Sequence, residues 1–159
     1  MPEQSPSFGG PYVQLAAFCQ IAMIENTGQL SVIRITDRVA AAGLTPEMTP
    51  TPIQITLAVV LKSGFTRAQM KLRVRATTPS GQAMPPLEAP VLFEGDERGI
   101  QLLVPMAFIA QEQGLYWFDV VVEESVLTRI PLRVMYQQVA APPGFSLPGM
   151  PPGTPPGSH

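Results

Sequence analysis

The chain has 159 residues, 45% of them hydrophobic and 14% charged, with ten Lys and Arg against twelve Asp and Glu for a net charge of −2. That length suits one domain with a real core, and the near-neutral balance gives no support to binding of nucleic acid or of anionic membranes. One cysteine, Cys19, rules out an intramolecular disulfide. Met1-Pro2-Glu3-Gln4 lacks the basic start and apolar run of a secretion signal, and no run approaches the roughly 18 apolar residues of a membrane span. A cytoplasmic protein is the expectation.

Residues 1–11, rich in Pro, Ser and Gly, read as a flexible lead-in, and residues 12–138 as the folded domain. From Tyr12 the period is two: Val13, Leu15, Ala17, Cys19, Ile21 and Met23 on one side, Gln14, Ala16, Phe18 and Gln20 on the other. Ala, Gln and Met also suit a helix. A strand is preferred, because Asn26-Thr27-Gly28 is a hairpin turn and a second alternating run follows from Leu30 to Val39. Residues 40–52, with Pro46, Pro50 and Pro52, predict a loop.

The third strand covers Ile53 to Leu61, with Ile53, Ile55, Leu57, Val59 and Leu61 inward. The fourth runs from Gln69 to Thr77, where Met70, Leu72, Val74 and Ala76 alternate with Lys71, Arg73, Arg75 and Thr77. Pro79-Ser80-Gly81 predicts a turn, and the proline-rich segment through Pro90 a loop. Val91 to Glu94 and Ile100 to Met106 read as short strands, with a helical turn at Ala107 to Gln111. The densest aromatic and β-branched stretch, Gly114 to Val122, pairs with Val126 to Val134 as a hairpin; Pro131 marks its second strand as a sheet edge.

About eight strands with no long helix predict an all-β fold: a single antiparallel immunoglobulin-like β-sandwich. Residues 139–159, with Pro-Pro-Gly units lacking a strict three-residue period, read as a disordered, partly polyproline tail.

Glu112-Gln113-Gly114-Leu115-Tyr116-Trp117-Phe118 resembles the entry to the F strand of immunoglobulin-like domains, with Tyr116 as the corner tyrosine and Phe118 where the disulfide cysteine would stand. The core from Tyr12 to Tyr136 is also similar to a group of small bacterial proteins of unknown function, through Leu15 to Cys19, Gly28 to Ser31, Arg34 to Arg38, Pro79-Ser80-Gly81 and Gly114 to Phe118. That resemblance implies a fold and brings no activity or catalytic residue.

The residues offer little chemistry. The one histidine, His159, is the last residue, too remote for a Ser-His-Asp or Cys-His arrangement. Cys19 reads as a small core residue, and one Cys with one His cannot assemble a nitrogen and sulfur zinc site. Glu94, Asp96 and Glu97 suit a solvated turn better than a calcium site. No metal, cofactor or catalytic residue is expected, and the chain reads as a non-enzyme.

The basic residues are the main surface signal. Arg34, Arg38, Lys71, Arg73, Arg75, Arg129 and Arg133 alternate along three predicted strands, while most acids sit in turns. If those strands share a face, they form a stripe for an acidic partner or phosphate; the plainer reading is solvation of outer faces. Asp119, in mid-strand beside Trp117, is placed to pair with Arg129 or Arg133, and Trp117 with Leu115 is a second candidate contact surface.

The preferred function is a non-catalytic interaction or adaptor module with a protein partner. The alternatives are a homo-oligomeric assembly component using Phe18, Val32 and Val60, and a ligand-binding protein or enzyme using Asp37, Asp119, Arg34 and Arg129.

Overall fold

The computed structural model describes residues 9–144, and over them the chain forms nine strands. The readings of residues 1–8 and of 145–159, which include His159 and most of the proline-rich tail, lie outside the described residues. The strands are β1 (Tyr12–Ile24), β2 (Leu30–Ile35), β3 (Arg38–Gly43), β4 (Thr51–Lys62), β5 (Arg67–Thr77), β6 (Leu87–Glu94), β7 (Gly99–Ala110), β8 (Gly114–Val122) and β9 (Ser125–Gln138). One sheet has the order β2-β1-β4-β7, the other β3-β9-β8-β5-β6. All neighbours are antiparallel except β3 and β9, which run parallel.

Period-two patterning explains why two sheets form. β4 and β5 each carry an apolar face too large for one sheet to hide, and facing the two faces together removes both from water. Leu57, Val59 and Leu61 of β4 are wholly buried against Leu72 and Val74 of β5 and against Phe118, Val120 and Leu132. Phe118 is the aromatic centre: Phe18 meets it edge-on with ring centroids 4.9 Å apart, and Phe108 lies 6.0 Å away. At the start of β8 the Tyr116 hydroxyl donates to the Glu112 carbonyl at 2.8 Å, which closes the corner between β7 and β8. This tyrosine corner, with two sheets packed face to face, makes the domain an immunoglobulin-like sandwich.

Several local expectations are corrected. The run Leu30 to Val39 is two strands in different sheets. Arg34 sits at a φ of 56°, Thr36 N–H donates to Phe18 O at 2.9 Å, and Asp37 O accepts from Arg133 N–H at 2.8 Å. The backbone thus passes its hydrogen bonds from β1 to β9 within three residues. The predicted 40–52 loop shortens to 44–50, because β3 pairs with β9 and β4 begins at Thr51. β6 starts at Leu87 and absorbs Pro90, which an edge strand tolerates because one side has no partner needing its N–H. The helical turn at Ala107 to Gln111 is instead β-strand as far as Ala110, with Phe108 opposite Ile53 and Ala110 opposite Thr51.

Phe18 is 2% exposed and belongs to the core, not to a subunit surface. A register shift between Val13 and Leu15 reverses the phase of β1, so Ala16 and Phe18 oppose Val59 and Leu57 and point inward. Val32 and Val60 are half-buried. Pro131 does not mark a sheet edge along all of β9, which lies between β3 and β8. Pairing with β3 begins only at Arg133, so at Pro131 the strand is joined on the β8 side alone.

Cys19 and Ala58 have no exposed surface although their register turns them away from the core. On the same sheet, Gln101 of β7 donates its amide to Gly28 O of the β1–β2 turn at 3.2 Å, which holds the tip of that hairpin against β7.

Candidate interaction surface

The outer face of the five-stranded sheet collects most of the basic residues. In register, Arg75 of β5 faces Asp119 of β8, and Asp119 faces Arg129 of β9. One row to the side, Thr77, Trp117 and Pro131 line up in the same way. Arg73 opposes Val121 and Glu88, Lys71 opposes Pro90, and Arg133 lies between Leu115 and Arg38. Period two then turns Arg38, Lys71, Arg73, Arg75, Arg129 and Arg133 to one side of one sheet.

At its centre two guanidiniums share one carboxylate. Arg129 donates from Nε to Asp119 Oδ1 at 2.6 Å and from Nη2 to Oδ2 at 3.1 Å, a bidentate pair. Arg75 Nη2 stands 3.7 Å from Oδ2. Asp119 itself is 7% exposed. The Arg129 hydrogen bond holds its carboxyl below the usual aspartate range, against the opposing effect of burial, with further help from the charges of Arg129 and Arg75. The cluster therefore carries one net positive charge. The Arg129 guanidinium also stands 5.9 Å from the ring centroid of Trp117, a residue 37% exposed.

Toward the margins the cations have acidic partners. Lys71 reaches Glu88 at 3.5 Å, Arg73 reaches Glu124 at 3.2 Å, and Arg38 reaches Asp37 at 3.0 Å. The Arg38 bond, ahead of the Arg38 and Arg133 charges, lowers the Asp37 pKa. The face is thus a positive, aromatic centre inside a mixed-charge rim.

Arg34 is not brought to it. It lies on β2 of the opposite sheet and donates to Gln20 Oε1 at 3.0 Å. The set Asp37, Asp119, Arg34 and Arg129 does not converge on one place, being divided between two sheets and between separate ion pairs. Asp119 pairs with Arg129 rather than Arg133, which stands opposite Leu115. The contribution of Arg75 is the part that spacing did not reveal, because β5 and β8 are far apart in the chain and only strand order makes them neighbours.

The acids of the β6–β7 turn hold other groups: Glu94 binds Arg98 at 3.1 Å, Glu97 accepts from Tyr12 at 2.7 Å, and Asp96 pairs with Arg67. Among the described residues no three ligating side chains cluster as a metal site, and no helix is long and apolar enough to cross a membrane. Cys19 is buried, its thiol 3.6 Å from Thr56 O, and burial pushes its pKa up.

The fold and this face define a small immunoglobulin-like domain with an arginine and tryptophan surface. Residues 14–135 match the model of a family of unknown function (DUF6941), and the chain belongs to that family. No curated protein matches it. Among solved structures it is similar to an immunoglobulin-like protein of Pseudomonas aeruginosa, at 17% identity and a TM-score of 0.41, covering 78% of this chain and 95% of that one. It is also similar to the CARDB domain of a Pyrococcus furiosus protein, solved with di-metal ions, at 11% identity and a TM-score of 0.41, covering 82% and 98%.

Proposed function

We propose that the protein is a non-catalytic interaction module that binds an acidic protein surface through the outer face of its five-stranded sheet. The observation that carries the reading is the Arg75–Asp119–Arg129 cluster beside half-exposed Trp117. Trp and Arg are the residues most enriched at binding hot spots, because each offers a large contact area on a stiff or forked group. Here Asp119 pre-orients both arginines, so less side-chain freedom is lost when a partner carboxylate arrives. The spare positive charge at the centre and the mixed-charge rim around it favour one orientation of approach.

The test is affinity capture from native lysate with the full chain, beside Trp117→Ala and an Arg75→Gln/Arg129→Gln pair. A specific partner that the wild type retains and both variants lose, with retention weakening as salt is raised, supports this face. A partner held equally by all three forms overturns it.

A further inference from the structure

We draw no further inference here: the strongest candidate, the exposed apolar ladder of Ile21, Met23, Ile33 and Ile35 on one face of the β1–β2 hairpin, is an unpartnered sheet face, and nothing in the structure shows what covers it.

Discussion

Replacing Asp119 with Asn keeps the shape of the side chain and removes its charge. Asp119 is 7% exposed and accepts two hydrogen bonds from Arg129, at 2.6 and 3.1 Å. A fully buried hydrogen bond to a charged group is worth about 1.5–3 kcal/mol. The Arg129 side chain is 58% exposed and that of Arg75 50%, so both can rehydrate once the carboxylate is gone. Discounting for that screening leaves a cost of about 1–2 kcal/mol at neutral pH. With a urea slope near about 1.5 kcal/mol per molar, the unfolding midpoint should fall by about 1 M at unchanged slope. The pH dependence fixes the cause. The folded pKa of Asp119 is lowered from 3.8, so its stabilisation is present above that value and is lost as pH falls through the lower folded pKa. The gap between wild type and Asp119→Asn should therefore hold from neutral pH down to the ordinary aspartate range, then close in stronger acid. No gap at neutral pH, or one that persists once the carboxyl is protonated, would refute this account of the cluster.

Three further outcomes are expected. Tyr116→Phe removes the corner hydrogen bond to Glu112 O at a site 1% exposed, and should cost about 1–2 kcal/mol by thermal or urea unfolding while the fold survives. Gly114→Ala puts a Cβ 2.9 Å from Pro79 Cβ at a φ of +135°, and should cost about 1–3 kcal/mol, measured as a lowered Tm. Cys19, buried in β1 with its thiol pKa raised by burial, should resist a water-soluble thiol reagent in the native state and react only on opening. Rapid native labelling would show that the Cys19 thiol is open to water.

The central strands were legible because their chemistry is one-sided. β5 alternates apolar with polar or basic residues and β4 keeps a bulky apolar residue at every second position, and the core follows those positions: Leu57, Val59 and Leu61 on β4, and Leu72 and Val74 on β5, lie within it. Glu112-Gln113-Gly114-Leu115-Tyr116 announced the tyrosine corner for a local reason, since the hydroxyl and the carbonyl it reaches are four residues apart. The errors fell where local pattern carries little weight. Strict alternation puts Phe18 on the outer side of β1, but one irregular residue between Val13 and Leu15 reverses every side chain after it. The break between β2 and β3 was hidden because Ile35, Thr36 and Val39 suit a strand in either sheet, and only partners on β1 and β9 decide where one strand ends.

The candidate surface divides in the same way. Alternation alone places Arg73 and Arg75 on one side of β5 and Arg129 and Arg133 on one side of β9. It cannot say whether those strands are neighbours, because pairing between distant strands depends on how the whole sheet buries its apolar face. Strand order β9-β8-β5 brings Arg75 to the far side of Asp119, and it leaves Arg34 on the opposite sheet. Period-two chemistry in the sequence thus determined a two-layer β-domain and the faces of its individual strands. Which strands lie side by side, and so which charges meet, was decided only by tertiary packing, where long-range burial outweighs anything a local window contains.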